Sequence, residues 1–574
     1  MLLHLNLKEL ERLYHTFLKF LRGRCLTRGD TSMVQYISPI YGFIPLMMIA
    51  AAFALPLFSF FIRRIKFFSV FTIAVTLIAF ILSAIIFVNV YREGKPILYP
   101  FGGWPPPIGI AYEIDLFNSL FALFVAFIAL LIVIYDNWYS TSDSRIHYTY
   151  YVLLLGLLAG VFGCIYTGDI FNLFVMVEVL SLSTYSLISF YRSNRYSLEA
   201  GLKYTLLGAV ALSLYFVATI VYYAAYGTLN MADLAYMARN KASLTPFSSI
   251  FGNIVAATAV ALVFTLWPFT FKSALFPNHF WLPDVYSSVS PVIAACFAGF
   301  TEATAIYIIA RFLYTIFGLG IIPELAKLRT VVLGALLVLG ILAALVGAFM
   351  MAIQRDARRL LAYSTVNHIG FIYIALSIGL FTNSIDVLRI GLMAMLLHII
   401  NHSIGKATLF LSIGSIMRGN NLDSSDLNAL YGLGKTAPIA GTAIVIGALH
   451  LIGLPPFAGF FSKYYIYQVY LSVGQPIIAW LVVLVTAISL MGYAKLLLIT
   501  FGTKPGYEKR FREALQSKAV LVTLMAMTIA ISIALYIDFY SVLIKASESL
   551  VNYNSYIATF RDFVSSYLNL LRGS

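Results

Sequence analysis

Three titratable side chains lie within one apolar run, LLHIINHSIGKATLFL, at residues 396–411. His398, His402 and Lys406 are spaced four residues apart, so a helix places all three along one face. A charged side chain at the centre of a bilayer costs about 2.5–3.5 kcal/mol on insertion scales. Residues kept at that cost indicate a function, and histidine, which titrates near neutrality, indicates proton transfer.

The two histidines have two other interpretations. An HxxxH spacing puts two imidazoles on one helix face, as in a metal site, but Ile399 stands where the zinc-protease signature has glutamate. Lys406, the next residue of the stripe, is a poor metal ligand. Structural hydrogen bonding in a core is the third alternative. The residues favour a proton relay over both, and the sequence predicts no bound metal and no cofactor.

Charged residues recur in nearly every central apolar run, namely Glu178, Lys203, Lys272, Glu302, Lys406, Lys463 and Lys495. Desolvation disfavours a lysine ammonium and a nearby carboxylate favours it, so a lysine between these two influences can take up and release a proton. Structural pairing, such as Glu178 with Lys203, is the alternative for any one residue. The whole series favours a file of proton-carrying groups with water between them.

Composition limits the class of protein. The chain has 574 residues, of which 61% are hydrophobic and only 11% are charged, and its mean hydropathy is +0.89. Soluble domains carry about 25% charged residues, so this is a polytopic membrane protein. Cys25, Cys164 and Cys296 stand far apart, which argues against iron–sulfur clusters, a zinc ribbon and a disulfide framework. The net charge of +14 is typical of basic loops at one membrane face rather than of nucleic-acid binding.

Apolar runs predict an all-α protein with about 14 transmembrane helices in the cell membrane. Alternate connections, beginning at Arg63, hold about 16 Lys or Arg against about 7 in the others, which makes the first set cytoplasmic and places both termini outside. The predicted divisions begin with an N-terminal extension at 1–37, which is either an interfacial helix or an upstream start-site artefact. N-terminal transmembrane helices follow at 38–145, then two repeats at 146–316 and 328–502, and a C-terminal transmembrane helix with an interfacial helix at 518–574.

Two predicted spans contain proline beside a lysine. The seventh reads VFTLWPFTFKSALFP, with Pro268 before Lys272, and the twelfth reads LHLIGLPPFAGFFSKYYIY, with Pro455 and Pro456 before Lys463. Proline removes a backbone donor, so each helix should break or kink, near 268 and near 455. Broken helices five spans apart predict two inverted five-helix repeats with ion sites at the breaks.

Several stretches resemble the antiporter-like membrane subunits: DIFNLFVMVEVLSLSTYSL, EAGLKYTLLGA, GTLNMADLA, KSALFPNHFWLPDVYSSVSPVIAACFAGF, RDARRLLAYSTVNHIGFI, HIINHSIGKATLFLS and GLPPFAGFFSKYYIY. That family includes the proton-pumping subunits of respiratory complex I, the D subunit of Mrp sodium/proton antiporters and subunits of membrane-bound group 4 hydrogenases. The resemblance covers roughly residues 110–500. GTLNMADLA and FAGF are most similar to the Mrp D and hydrogenase branch.

The resemblance implies roles for matching residues of the first repeat. Glu178 resembles the essential fifth-span glutamate, which tunes the lysine of the broken seventh helix, here Lys272. Lys203 resembles the neighbouring sixth-span lysine. His279, in the HFWLPD loop, is a weaker candidate, and so is His368, in the YSTVNH span of the second repeat.

In the second repeat, the resemblance implies a central relay along the membrane midplane at His398, His402 and Lys406, and an exit-side lysine at Lys463. The eighth span departs from the family. Members usually carry LLTKVG there, whereas this chain has GFTEATAIY, with Glu302 in place of the lysine. The substitution changes the local charge by two units, and it predicts either a relay or sodium-binding role for Glu302, or the loss of pumping.

The function expected from these residues is proton or sodium/proton translocation by one subunit of a larger membrane complex. The chain has no redox motif, so electron transfer would take place in partner membrane subunits of a dehydrogenase or hydrogenase, or the partners would be other antiporter subunits. Whether the chain is part of an enzyme is left open. A non-pumping scaffold subunit and a stand-alone transporter for a small solute are the alternatives.

Overall fold

The computed structural model describes residues 38–62, 64–140, 148–190, 195–240, 253–502 and 513–573. Within these ranges the chain forms 18 helices and one two-stranded hairpin. The predictions made for residues 1–37 lie outside the described residues. The first half of the chain contains α1 Ile40–Phe61, α2 Ile65–Glu93, β1 Ile97–Pro100, β2 Ala111–Ile114, α3 Leu116–Tyr139, α4 Tyr148–Tyr166, α5 Ile170–Ile188, α6 Arg195–Tyr226, α7 Met231–Met237, α8 Ile254–Lys272 and α9 Leu282–Ser288.

The second half contains α10 Pro291–Ile316, α11 Pro323–Ile353, α12 Ala357–Leu380, α13 Ile385–Gly419, α14 Pro438–Ile452, α15 Ala458–Ser472, α16 Pro476–Thr500, α17 Leu515–Val551 and α18 Tyr553–Gly573. Thirteen of the described helices are long and apolar enough to cross a membrane. The remaining predicted span, centred near residue 452, is the pair of shorter helices α14 and α15. The prediction of a polytopic all-α membrane protein is therefore confirmed.

The two interrupted spans differ in where the helix stops. Helix α8 continues through Pro268 and ends at Lys272, so the interruption is the loop 273–281 rather than the proline. The indole of Trp281 donates to the carbonyl of Phe271 at 3.0 Å, which satisfies one carbonyl at this helix end. In the second span α14 ends at Ile452, and Gly453 has a φ of +84°, the left-handed conformation that glycine adopts at helix C-termini.

Helix α10 lies at the centre of the bundle. Its apolar window is completely buried, whereas those of α1 and α2 are one-third buried. Two π-helical segments, Phe297–Thr301 and Arg311–Ile316, interrupt α10, and Glu302 follows the first directly. Such segments rotate the following side chains relative to a regular helix and are frequent at functional sites.

The hairpin covers one end of the bundle, which we call the hairpin end. Strands β1 and β2 pair antiparallel, and Tyr112 of β2 also pairs with Thr167 between α4 and α5. Helix α18 is amphipathic and lies at the same end. Its Tyr556 is buried, and its Tyr553 ring lies 3.8 Å from the guanidinium of Arg239. The hairpin and α18 therefore cover the ends of the spans that meet there.

Candidate functional site

Lys406 begins a continuous row of hydrogen bonds inside the second half of the chain. Its side chain is fully buried on α13, and its ammonium donates to the carbonyl oxygen of Leu361 at 2.8 Å and to the Ser364 hydroxyl at 2.6 Å. The Ser364 hydroxyl shares a short hydrogen bond with the Tyr493 hydroxyl of α16. Three helices, α12, α13 and α16, thus supply the first three polar groups.

Two histidines continue the row. The Tyr493 hydroxyl bonds Nε2 of His368 at 3.0 Å, and Nδ1 of His368 bonds Nε2 of His398 at 3.0 Å. Nδ1 of His398 then bonds the Ser462 hydroxyl at 2.9 Å, on α15. We call this row the buried chain; its members are Lys406, Ser364, Tyr493, His368, His398 and Ser462.

Lys463 follows Ser462 directly and lies at the interruption between α14 and α15. Its ammonium donates to the carbonyl oxygens of Leu451 and Ile452, both at 3.0 Å, and lies 4.9 Å from the centre of the Phe371 ring. These carbonyls belong to the last turn of α14, where the unpaired backbone acceptors and the helix dipole favour a cation. The break therefore holds a lysine at the end of the buried chain.

His402 lies beside the buried chain without joining it. Its ring centre is 5.6 Å from that of His368, and its Nε2 is buried with no hydrogen-bond partner in the part of the chain that the structure describes. Although it lies one turn from His398 and one turn from Lys406 on α13, the hydrogen bonds pass around it through α12 and α16. The sequence motifs predicted His402 as a relay residue and His368 as a weaker candidate, whereas in the structure His368 is in the row and His402 is not.

Lys272 forms a separate cluster in the first half of the chain. Its ammonium donates to the Ser181 hydroxyl at 2.6 Å and lies 5.9 Å from the ring centres of both Tyr185 and Tyr204. Glu178, one turn before Ser181 on α5, is partly exposed and interacts electrostatically with Lys272. The described residues contain no ion pair within 4.0 Å between these two groups.

Glu302 lies between the two halves. One of its carboxylate oxygens accepts a short hydrogen bond from the Tyr286 hydroxyl, and the other is buried without a partner among the described residues. The carboxylate interacts electrostatically with Lys406 and with Tyr204, which also borders Lys272. Glu302 therefore interacts with Lys406 in the second half and, through Tyr204, borders the Lys272 cluster in the first half.

Lys203 and His279 lie away from these clusters. The Lys203 side chain is 47% exposed, and its ammonium pairs with Glu199 at 2.8 Å and with Asp284 at 3.4 Å. Asp284 also pairs with Arg359 at 2.8 Å, so Lys203 belongs to a partly exposed ionic network joining α6, α9 and α12. His279 stacks on Phe276, with its Nδ1 buried and unpartnered within the described ranges.

Sequence reasoning did not identify Tyr493, Ser364 or Ser462. Ser364 and His368 are four residues apart on α12, so this spacing was a usable signal for one shared face. Tyr493 lies in an apolar run of α16 where nothing in the spacing distinguishes it from an ordinary core tyrosine. In the described part of the chain, no three His, Cys, Asp or Glu side chains cluster as metal ligands would.

A helical bundle with interrupted spans and a buried file of lysines and histidines defines the class of antiporter-like membrane subunits. The family model described as NADH:quinone oxidoreductase/Mrp antiporter, TM, matches residues 167–489. The chain belongs to this family.

Curated relatives match over most of their length. The NADH-quinone oxidoreductase N subunit of Desulforudis audaxviator is 35% identical over 423 residues, which are 73% of this chain and 77% of the relative. The Na(+)/H(+) antiporter D subunit of Alkalihalophilus pseudofirmus is 31% identical over 460 residues, which are 79% of this chain and 86% of the relative. The family resemblance inferred from the sequence motifs is thus confirmed.

Solved structures share the fold. A chain of the membrane-bound sulfane sulfur reductase, an archaeal respiratory membrane complex, aligns with a TM-score of 0.81 and 28% identity, over 91% of this chain and all of that chain. A chain of the Mrp complex from Dietzia sp. aligns with a TM-score of 0.78 over the same shares, and its 23% identity supports the fold alone.

Proposed function

We propose that this antiporter-like subunit translocates protons through the buried chain, as one component of a multi-subunit membrane complex. The observation that carries the proposal is the continuous row of hydrogen bonds from Lys406 to Ser462. Serine, tyrosine and neutral histidine each have a hydrogen-bond donor and an acceptor, so a proton arriving at one side can be relayed from the other. Lys406 at one end of the row, and Lys463 beside Ser462 at the other, can hold the charge or release it.

The proposed proton path starts at Lys406 and runs along the buried chain. An ammonium at Lys406 transfers a proton through Ser364 and Tyr493 to His368, and His398 passes it on toward Ser462 and Lys463. From Lys406 to Ser462 each transfer moves one proton along an existing hydrogen bond, and the hydroxyl and imidazole groups must then reorient before the next proton passes. The described residues contain no hydrogen bond between Ser462 and Lys463, whose ammonium donates to the carbonyls of Leu451 and Ile452, so this last step needs water or a movement of the lysine. Lys463 lies beside the interruption between α14 and α15, which is the proposed point of water entry to the row.

The first half is the proposed supplier of charge to this row. Lys272, biased by Glu178, carries a proton toward Glu302, and a charge change at Glu302 alters the affinity of Lys406 for its proton. The described side chains leave no direct hydrogen bond between Lys272 and Glu302, so water must enter to join them. Coupling between the halves is therefore electrostatic as well as proton-conducting.

The partner subunits are proposed from the relatives. Those relatives are named as subunits of a quinone oxidoreductase and of a sodium/proton antiporter, and the aligned structures are of multi-subunit membrane complexes. We place the chain in such a complex in the cell membrane, with lipid around α1 and α2. The basic connections face the cytoplasm, so the hairpin end faces outside.

Tyr493→Phe tests the buried chain directly because it removes one oxygen and little else. It should lower ion translocation by the reconstituted complex by about an order of magnitude or more, since a missing proton-transfer group costs about 10²–10⁴-fold in enzymes. The measurement is proton flux into vesicles containing the intact complex. Tyr470→Phe is the matched control: it removes a buried hydroxyl that bonds the Ile374 carbonyl at 2.6 Å, outside the row. Equal fluxes in both variants would contradict the relay.

Glu302→Gln tests whether the acidic residue takes part. Glutamine keeps an acceptor for Tyr286 but carries no charge, so translocation should fall while assembly of the complex is retained. The exposed Glu324→Gln on α11 is the control. Flux is measured with protons alone and again with sodium varied; a sodium-dependent loss assigns Glu302 to sodium. Wild-type flux in Glu302→Gln would exclude the residue from transport. If Tyr493→Phe were also without effect, the non-pumping scaffold would replace the proposed function.

A further inference from the structure

A second set of buried ionisable groups lies at the hairpin end, apart from the lysine clusters. Glu113 and Asp115 come from the hairpin and the turn that follows it, and their exposed fractions are 1% and 0%. Arg311 of α10 pairs with Asp115, with Nη1 and Oδ2 2.6 Å apart. Tyr307 of α10 and Tyr556 of α18 border the same charges.

Every nitrogen of the Arg311 guanidinium makes at least one hydrogen bond without Glu113. Its Nη1 group also donates to the Thr315 hydroxyl at 3.2 Å, and its Nε and Nη2 groups donate to the Tyr307 hydroxyl at 3.3 and 3.1 Å. Asp115 uses its other oxygen to accept the backbone N–H of Asn118 at 2.9 Å. The ion pair is therefore satisfied by its own neighbours, as a buried pair must be.

Glu113 is the acidic group of this cluster that does not take part in the ion pair. Neither of its carboxylate oxygens reaches a hydrogen-bond donor within the described ranges, although the Tyr556 hydroxyl lies near. An ionised carboxylate that is buried and unpaired is very costly, and the neutral acid avoids that cost. Burial accordingly raises the pKa of Glu113 well above its ordinary value of 4.5; Arg311 and Tyr556 oppose this shift and Asp115 adds to it.

The charge count agrees with a neutral Glu113. The charged groups facing it are Asp115 on the hairpin side and Arg311 on α10, and the titratable hydroxyls are those of Tyr307 and of Tyr556 on α18. With Glu113 protonated, the cluster has no net charge. With Glu113 ionised, two carboxylates share one guanidinium and the net charge is −1.

A cavity with polar and apolar walls lies beside Asp115, whose own side chain is buried. It has a volume of about 320 Å³ and is lined by Asp115 together with Lys95, Lys545, Glu548, Asn552 and Ser555. That volume holds several water molecules, and the wall supplies the polar partners that ordered water needs. Asp115 thus borders both the cavity and the buried cluster.

We propose that Glu113 is a proton-exchange site at the hairpin end, which holds one proton as a neutral acid and releases it to water in the cavity beside Asp115. On release, the O–H bond of the carboxyl breaks, the proton goes to cavity water, and the carboxylate stays beside Arg311. Because Arg311 neutralises the charge of Asp115, the cluster has a net charge of −1 after Glu113 has released its proton. The use of this proton in transport rests on the proposed function, whereas its presence on Glu113 does not.

Infrared spectroscopy of the purified complex tests the protonation itself. At neutral pH the wild type should show the C=O stretch of a protonated buried carboxyl, and this band should be missing from Glu113→Gln. The control is Glu548→Gln, which changes a partly exposed carboxylate of the same cavity and should keep the band. In wild-type protein this band should shift in D2O, because the acid exchanges with cavity water, and should disappear at alkaline pH. Absence of a band specific to Glu113, or a band insensitive to D2O, would overturn the proposal.

A stability measurement gives an independent reading of the same group. Because the folded-state pKa of Glu113 is raised, its contribution to stability is fully present below the unfolded value and is lost as pH rises through the folded value. The melting temperature of Glu113→Gln should therefore exceed that of the wild type increasingly as pH rises above 4.5. A constant difference across pH would contradict a neutral acid. Neither readout depends on transport, so both can succeed even if the proposed relay fails.

Discussion

Replacing Lys406 by alanine should nearly abolish ion translocation, with a loss of about 10²-fold or more, the range found when a proton-transfer group is removed. Lys406 is the only lysine of the buried chain, and it is also the member that interacts electrostatically with Glu302. Its loss removes both the charge that starts the row and the electrostatic interaction that links the two halves. Flux of protons into vesicles containing the intact complex is the measurement.

Lys495→Ala is the matched control for this variant. The Lys495 ammonium also donates to backbone carbonyls, those of Ala352 at 3.2 Å and Gln354 at 2.7 Å, and it lies on α16 two residues after Tyr493. Its bonds end at the C-terminus of α11 and do not reach the buried chain. Translocation close to wild type is expected in Lys495→Ala. A loss as large as that of Lys406→Ala would mean that lysine removal acts through packing.

The helices of this fold were predictable because the length and hydropathy of each span are those that a lipid bilayer requires. Apolar runs of about 20 residues must be helical in a bilayer, since no other local structure satisfies every backbone group there. The interruption at Gly453 was also readable, because a glycine followed by two prolines stops a helix wherever it occurs. The interruption after Lys272 was placed too early, because Pro268 is accommodated within α8.

The partners of each buried side chain were not predictable in the same way. His398, His402 and Lys406 share a stripe on α13, but the stripe alone does not determine which neighbouring helix supplies the next polar group. That choice depends on how α12 and α16 are rotated about their axes, which is a property of the packed bundle. Tyr493 joins the row through this rotation, and His402 is left out of it.

Lys203 also differs from the sequence-based prediction, because of its position along α6. The apolar sequence of α6 predicts a buried lysine at this position, but Lys203 lies in the first third of that helix, where its ammonium reaches Glu199 and Asp284. A lysine near a helix end extends its head group toward the more polar region beside the bundle. Sequence position within a span is therefore as informative as residue type.

His368→Gln compared with His402→Gln separates the relay read from the structure from the one read along a single helix. Glutamine keeps hydrogen-bonding capacity but does not take up a proton at neutral pH, so His368→Gln interrupts the buried chain between Tyr493 and His398. Translocation should fall about 10²-fold in His368→Gln. His402→Gln should stay close to wild type, because no link of the row passes through that ring.

The two variants are matched because both rings are almost completely buried, 1% and 3% exposed, and lie in contact with each other. Any general effect of exchanging an imidazole for an amide in this part of the core should therefore appear in both. Proton flux and the yield of assembled complex are measured side by side. A larger loss in His402→Gln would return the relay to the stripe of α13 and would mean that water, rather than the hydrogen bonds through α12 and α16, carries the proton.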